Sequence, residues 1–249
     1  MIRVYVIENV PEIREGDDIG KILSNLFRFE DGDVLAVCST IVSKAEGRIR
    51  RLEDYEPSER ALRLAEKIGK DPRFVQAVLE ESEEVLIEEP FLLVKAKFGN
   101  VCVNAGIDQS NVESGYILLP PKDPDESAER IRRRIAEESG KDVGVIITDT
   151  NGRCFRKGVV GFAIGSSGVE VLRDWRGKVD LYGNVLEVTV ECVADEIAAF
   201  ANLLMGEGDN GTPAVVFRGL NVSGRGKAKD LYRSEEEDVI SRKLRGSLW

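Results

Sequence analysis

Short apolar runs and helix-spaced apolar residues follow one another along this chain without strict alternation. That order constrains the fold more than any single residue does. Regular strand–helix–strand alternation would wind a parallel sheet; its absence favours an α+β class, a mixed fold of antiparallel strands and packed helices. Ile2 to Glu8 alternates as a strand and breaks at Asn9-Val10-Pro11. Ile19, Ile22, Leu23, Leu26 and Phe27 recur at helical spacing, and Asp31-Gly32 turns the chain into a strand read from Asp33 to Val42. Ser58 to Lys67 and Pro72 to Glu81 read as helices, with Gly69 stopping the first and Asp71 capping the second. Val85 to Ile87 and Phe91 to Lys97 are strand-like, and Gly99-Asn100 is a hairpin signal leading into Val101 to Val103. A loop runs from Asn104 to Gly115. Asp123-Pro124-Asp125-Glu126 then opens a helix that should end at Ser139-Gly140. Val143 to Thr148 and Val159 to Ile164 are strands, Ala194 to Met205 a helix, and Ala214 to Phe217 a strand. Ser234 and Glu237 form a capping-box pattern for a last helix to about Leu244.

The chain has 249 residues, and its net charge is −10. Such acidity argues against general nucleic-acid binding, which needs a broad basic surface. There is no histidine. That excludes a Ser-His-Asp triad, a Cys-His pair, a histidine zinc site and a histidine proton shuttle. Any metal must sit among oxygen or sulfur ligands. Cys38, Cys102, Cys154 and Cys192 are scattered with no C-x-x-C pair, so they read as buried free thiols in a reducing cytoplasm. The first residues are too charged for a signal peptide, and no apolar run approaches a membrane span. The acidic run Glu80 to Glu89 reads as a solvated surface.

Four segments carry candidate chemistry. In Val37 to Ile49, an apolar strand runs into Ser39, Thr40, Ser43 and Lys44. Hydroxyls with a lysine close behind suit a phosphate; a polar turn is the plainer alternative. In Val103 to Gly115, Asp108 sits among Gly106, Ser110 and Asn111, as a hard-metal ligand or as the carboxylate of an Asx-turn. In Val145 to Gly158, Asp149 ends an apolar strand, followed by Thr150, Asn151 and Gly152 and by the cations Arg153, Arg156 and Lys157. A carboxylate aimed by a rigid strand suits Mg²⁺ or Mn²⁺, and the cations suit an anionic substrate; a solvated turn is the alternative. In Met205 to Pro213, Gly206, Gly208 and Gly211 leave the backbone open to a ligand, with Glu207 and Asp209 between them; this is either a ligand loop or a flexible helix stop. Together these residues fit metal-assisted phosphoryl transfer.

STIVSKAEGRI, NAGIDQSNV, ITDTNGR and MGEGDNGTPAVVFRG, in that order, with NVPEIREGDDIG before them, resemble the gamma-glutamyl ligases of the deazaflavin coenzyme F-420. The resemblance covers essentially the whole chain. It implies GTP-dependent joining of L-glutamate to F-420-0 through an acyl phosphate, with a second glutamate added by a gamma linkage. It further implies Mg²⁺ or Mn²⁺, with a monovalent cation such as K⁺ as a further ion. The implied metal ligands are Asp108, Asp149, Thr150 and Glu207. Implied nucleotide contacts are Val10, Pro11, Glu12, Ile13, Ser39, Thr40, Lys44, Asn111, Gly206, Gly208, Asp209, Asn210 and Gly211. Arg153, with Arg156 and Lys157, is assigned to the acyl phosphate or phosphodiester from charge alone. The implied architecture is a two-lobed α+β fold in an intertwined homodimer. Residues 1–249 act as one functional unit with no readable lobe boundary. A C-terminal nitroreductase-like domain found in some relatives is not expected after Trp249. The competing readings are a metal-dependent phosphohydrolase and a non-catalytic guanine-nucleotide-binding regulatory protein.

Overall fold

The computed structural model describes residues 1–153 and 155–246. In chain order the elements are β1 (Arg3–Val6), α1 (Ile19–Leu26), β2 (Val34–Cys38), α2 (Ser39–Ala45), β3 (Ile49–Arg51), α3 (Glu59–Ile68), α4 (Pro72–Glu80), β4 (Ser82–Ile87), β5 (Leu93–Ala96) and β6 (Val101–Val103). There follow β7 (Tyr116–Leu118), α5 (Pro124–Ser139), β8 (Gly144–Arg153), β9 (Arg156–Ser167), β10 (Arg173–Asp174), β11 (Val190–Glu191), α6 (Val193–Met205), β12 (Ala214–Arg218) and α7 (Val239–Leu244). Helices and strands are mixed, and among the described residues every strand ladder except β2–β8 is antiparallel. The α+β expectation holds. The chain divides into two compact units. One comprises Met1–Glu12, Asp18–Cys38 and Pro124–Leu231; the other comprises Ile13–Asp17, Ser39–Asp123 and the residues from Tyr232 on.

The first unit is built on a five-stranded sheet in the order β1-β12-β2-β8-β9. Val34 to Val37 and Ala214 to Phe217 are almost wholly buried, as expected of central strands covered on both faces. Val34, Ala36, Ile146, Val215 and Phe217 pack against Ala194, Ile197, Ala198, Ala201 and Met205 of α6. At the sheet edge, Gly161 has no room for a Cβ beside Ala198 and Asn202 of α6, and Gly165 has none beside Pro124 of α5. Residues four apart in a regular strand share a face. Here the register slips between Ile147↔Gly165 and Thr148↔Ala163, leaving Ile164 as an extra residue. That bulge lets one edge strand receive a different helix at each glycine.

The second unit holds the antiparallel sheet β4-β5-β6 and the pair β3-β7. Ala61, Leu64 and Ala65 of α3 and Phe74, Val75 and Val78 of α4 share a core with Leu92, Val94, Ala96, Ile117 and Leu119. The Ser58 hydroxyl accepts from Ala61 N at 3.2 Å to cap α3, and Asp71 accepts from Arg73 N at 2.8 Å to cap α4.

Several boundaries differ from those read in the sequence. The strand expected to reach Val42 ends at Cys38, and Ser39–Ala45 is helical. A short apolar run suits either element, and here Ile41, Val42 and Ser43 are buried on a helix. The strand expected to end at Thr148 continues to Arg153, so Asp149 pairs with Phe162 inside the ladder rather than at its end. Beyond Asp149 the hairpin is solvent-exposed, so hydrogen bonding, not apolar burial, holds it extended. The Ser234–Glu237 pattern does form: Ser234 N donates to the Glu237 carboxylate at 3.0 Å and Glu237 N to the Ser234 hydroxyl at 3.4 Å. It closes a turn, whereas α7 itself begins after Asp238, whose carboxylate accepts from Ser241 N at 2.9 Å.

Cys102 is buried, while Cys38 and Cys192 are half-buried; none of the three is in a disulfide. The buried expectation is corrected for the latter two, and Cys154 lies outside the described residues. Burial, then the charge of Asp195, pushes the Cys192 thiol up to about 12, which makes it a poor nucleophile. The acidic run is solvent-facing and ion-paired, with Glu83 to Lys95, Glu84 to Arg245 and Glu88 to Lys67. Among the described residues no helix is long and apolar enough to cross a membrane.

Candidate functional site

In the first unit the candidate residues gather on β8, the β8–β9 hairpin and the loop after α6. Asp149 is half-buried and follows directly on the bulge, with ladder partners on β9 before and after it. Its Oδ1 accepts from Thr150 N at 2.8 Å. Strand alternation sends the Asp149 side chain to the face of Ile147 and the Thr150 side chain to the face of Thr148. Thr150 pairs with Gly161, the glycine against which α6 lies. The carboxylate of Asp195, in the first turn of α6, accepts from Ala163 N at 2.9 Å and fixes the strand at the bulge.

At the other end of α6, Gly206 donates its N–H to Asn202 O at 2.9 Å and ends the helix. Asn202 Nδ2 donates to Glu207 Oε1 at 2.8 Å. Asn202 therefore ties Glu207 to the helix and packs on Gly161, the ladder partner of Thr150. Asp149 projects from the other face of the same strand. The rest of the loop, Gly208, Asp209, Asn210 and Gly211, is exposed. It is gathered back by the Thr212 hydroxyl, which donates to Met205 O at 3.2 Å.

Arg153, Arg156 and Lys157 are exposed at the hairpin end. Arg153 Nη2 donates to Lys157 O at 3.3 Å, and none of the three has a carboxylate partner among the described residues. Val10, Pro11 and Glu12 follow β1 and the left-handed Asn9, with Val10 half-buried and the other two exposed.

In the second unit, Ile13 is buried, and Ser39, Thr40 and Lys44 lie half-buried on α2. The Lys44 ammonium has no carboxylate partner among the described residues. Asp108 is held by a main-chain bridge to Leu118, with N···O distances of 3.0 and 2.8 Å. Its Oδ1 accepts from Ser110 N at 2.8 Å and its Oδ2 from the Ser110 hydroxyl. This is the Asx-turn foreseen as the alternative to a metal ligand. The turn leaves the carboxylate intact as an oxygen donor, so the two roles are compatible. Asn111 follows in the left-handed conformation, φ 53°.

All candidate ligands for a cation are oxygens: three carboxylates and a threonine. That set fits a hard ion such as Mg²⁺ or Mn²⁺. Among the described residues no three Asp, Glu or Cys side chains form a cation cage. Mg²⁺ typically uses only one or two carboxylates and takes its other ligands from water and substrate phosphates, so no cage is needed.

The sequence reading missed Asn202 and Asp195. Each lies on α6 and acts through a neighbour, one holding Glu207 and the other the bulge. Within a helix pattern they look like ordinary polar surface positions.

The family model described as F420-0:Gamma-glutamyl ligase matches residues 8–219. A protein of Archaeoglobus fulgidus named coenzyme F420:L-glutamate ligase is 70% identical over 247 residues, 99% of each chain. Proteins of the same name from Haloarcula marismortui and Methanopyrus kandleri are 50% and 49% identical; they cover 98% and 94% of this chain, and 97% and 96% of their own lengths are matched. The matched span contains β2, the Asp108 turn, the β8–β9 hairpin and the glycine loop in order. On that agreement, the chain belongs to the F420-0:gamma-glutamyl ligase family.

Proposed function

We propose that this chain joins L-glutamate to the acceptor carboxylate of coenzyme F-420-0 at the expense of GTP, and then adds a second glutamate by a gamma linkage. The observation that carries this reading is the end-to-end match to proteins named for glutamate ligation to coenzyme F-420. A carboxylate and an amine do not condense unaided in water, so the carboxylate has to be activated. One carboxylate oxygen attacks the γ-phosphorus, GDP leaves, and an acyl phosphate forms. The neutral glutamate amine attacks the acyl carbon. The bond from that carbon to the bridging oxygen breaks, phosphate leaves with that oxygen, and the amine proton passes to solvent.

In this proposal Val10, Pro11, Glu12, Ile13, Ser39, Thr40, Lys44 and Asn111 contact the nucleotide, with the loop Gly206, Gly208, Asp209, Asn210 and Gly211. Asp108, Asp149, Thr150 and Glu207 would supply oxygen ligands to Mg²⁺ or Mn²⁺, Asp149 from one face of β8 and Thr150 with Glu207 from the other and so not all to one ion, and K⁺ is proposed as a companion ion. A bound divalent ion offsets the charge of the phosphates. Arg153, Arg156 and Lys157 face the acyl phosphate, where cations stabilise the leaving phosphate.

Phosphate release from GTP tests the reading. It is expected to require F-420-0 and glutamate together. Release to water without glutamate would identify a phosphohydrolase, and GTP binding with no turnover a regulatory protein. Lys44→Ala is expected to weaken GTP binding by roughly ten- to a hundredfold, the loss of one charged hydrogen bond of about 1.5–3 kcal/mol. An unchanged dissociation constant at an unchanged melting temperature would return Lys44 to the surface.

We further propose a homodimer, and an arm of the first unit supports it. Between β10 and β11 the chain runs out as a hairpin-like arm closed by a Val179–Val185 bridge. At its tip Asp180 accepts from Tyr182 N at 2.8 Å, Asn184 N at 2.8 Å and Asn184 Nδ2 at 2.9 Å. Those bonds, with Asn184 foremost, hold its carboxyl below the usual range. The arm is thus ordered, yet Leu181 is 101% and Tyr182 91% exposed, and Val188 is 85%. Ordered apolar side chains in solvent mark an interface, and a second copy is the proposed occupant. Leu181→Asp with Tyr182→Ser is expected to convert dimer to monomer in sedimentation. A wild-type monomer at micromolar concentration would contradict the proposal. Cys38, Cys102 and Cys192, none of them in a disulfide, suit the reducing cytoplasm proposed as its compartment.

A further inference from the structure

Three residues of the first unit run against the preferences of their own elements, and they lie together. Gly161 interrupts β9, where a glycine weakens a strand and marks a close approach. A Cβ there would lie 2.5 Å from both Ala198 O and Asn202 Cβ, so glycine is what lets α6 settle on the strand. Asn202 interrupts the otherwise apolar run Ala198 to Met205 in the last turn of α6, although asparagine is a poor helix former. Gly206 follows with φ 75° and ψ 175°, a region open essentially to glycine alone. Local costs that converge on one place mark a functional requirement.

Their common result is the placement of Glu207. The main-chain oxygen of Asn202 accepts from Gly206 N at 2.9 Å, which any residue at this position could do. The side chain adds the specific bond, Nδ2 donating to Glu207 Oε1 at 2.8 Å. Glu207 is exposed, in a glycine-rich loop, and has no other hydrogen-bond or ion-pair partner among the described residues. The amide is neutral, so it orients the carboxylate without cancelling its charge, and it leaves Oε2 open. Asp108 and Asp149 are held by donors one or two residues away, Ser110 N and Thr150 N. The donor to Glu207 comes from a helix instead, so its aim depends on how α6 packs on Gly161. Thr150 is the ladder partner of Gly161, and directly paired residues point to the same face, so its side chain faces α6 as well.

We propose that Asn202 is a positioning residue that sets the affinity for a divalent cation on the α6 face of β8. It holds the Glu207 carboxylate with one oxygen engaged and the other presented on the face that Thr150 shares. The proposal rests on the reading of Glu207 as a cation ligand.

Mn²⁺ binding by the full-length protein in saturating GDP tests this, read from the paramagnetic resonance signal of free Mn²⁺ against a protein-free blank. The variants are Asn202→Leu, near in size but without a donor, and the smaller Asn202→Ala in case the first does not fold. Each is expected to weaken Mn²⁺ binding by roughly ten- to a hundredfold, the usual weight of a group that orients a metal ligand, and to raise the KM for Mn²⁺ in turnover by the same factor. In a Glu207→Ala background, removing the Asn202 amide is expected to cost nothing more, because the carboxylate it orients is gone. A merely structural Asn202 would cost as much in either background, and that additive result would overturn the proposal. So would a wild type that retains no Mn²⁺ beyond the blank. If Glu207→Ala weakens binding while the Asn202 variants bind as wild type, the proposal falls and Glu207 keeps its place. If Glu207→Ala itself binds as wild type, the reading of Glu207 falls and the proposal falls with it.

Discussion

Asp149→Asn is expected to lose turnover by a hundredfold or more while melting close to wild type. The substitution separates charge from shape. Asn keeps an oxygen where Asp149 Oδ1 now accepts from Thr150 N at 2.8 Å, so the local bond survives. The backbone at this position is held by the ladder to β9, with Asp149 opposite Phe162, and does not depend on the side chain. What disappears is a negative charge that, in the proposed reaction, holds the cation against the phosphates. Losing such electrostatic stabilisation raises a barrier by several kcal/mol, and each decade of rate corresponds to about 1.4 kcal/mol. The check is glutamate addition at saturating Mn²⁺ by mutant and wild type, beside thermal melts of both. Near-wild-type turnover would remove Asp149 from the metal site and leave it as a strand residue with a local turn.

The second large effect is on stability. Arg218→Met is expected to destabilise the protein by about 3–5 kcal/mol, because it strands a buried carboxylate. Asp33 has a fully buried side chain just before β2, and Arg218 at the end of β12 meets it with Nε and Nη2, both at 2.8 Å. The same guanidinium reaches Glu30 at 2.7 Å and Arg28 O at 3.0 Å, and lies over the rings of Tyr5 and Phe27 at 5.3 and 5.5 Å. Asp33, foremost, drives the Arg218 pKa further upward, so the arginine is charged at every accessible pH. The double variant Arg218→Met with Asp33→Asn should recover part of the loss, since the uncompensated charge is gone. Urea unfolding of the two variants and wild type reads both terms. If the single variant lost under 1 kcal/mol, the pair would be a surface contact of little weight.

The parts of the fold that announce themselves in the sequence are those whose signal is local. Ser58, Asp71-Pro72 and Gly99-Asn100 mark helix starts and a hairpin, and the structure places each there. The apolar runs Val34 to Val37 and Val145 to Ile147 are buried central strands. What escapes is set by distant partners. Ile49–Arg51 and Tyr116–Leu118 are strands because they pair with each other across a long intervening stretch of chain, not from their own pattern. The extension of β8 past Asp149 is imposed by β9, and Ser39–Ala45 chooses helix over strand through the burial of Ile41 to Ser43. The candidate site divides the same way. Asp108, Asp149 and the glycine loop are legible as acids and glycines next to apolar runs, and their order along the chain carries the family resemblance. Asn202, Asp195 and the bulge at Ile164 are invisible, since each works through a residue it meets only after folding.

The central claim is that an acyl phosphate links GTP to glutamate addition, and an isotope-transfer measurement tests it most directly. F-420-0 labelled with oxygen-18 in its acceptor carboxylate is incubated with the protein, L-glutamate, GTP and Mn²⁺. Product and phosphate are then read by mass. The account predicts a product heavier by one glutamyl residue and one labelled oxygen in the phosphate released by that first addition, whereas phosphate from a second addition, whose acceptor is the unlabelled carboxylate of the first glutamate, carries none. Unlabelled phosphate with an unmodified acceptor would mean that water, not the carboxylate, attacks GTP, and would contradict the account.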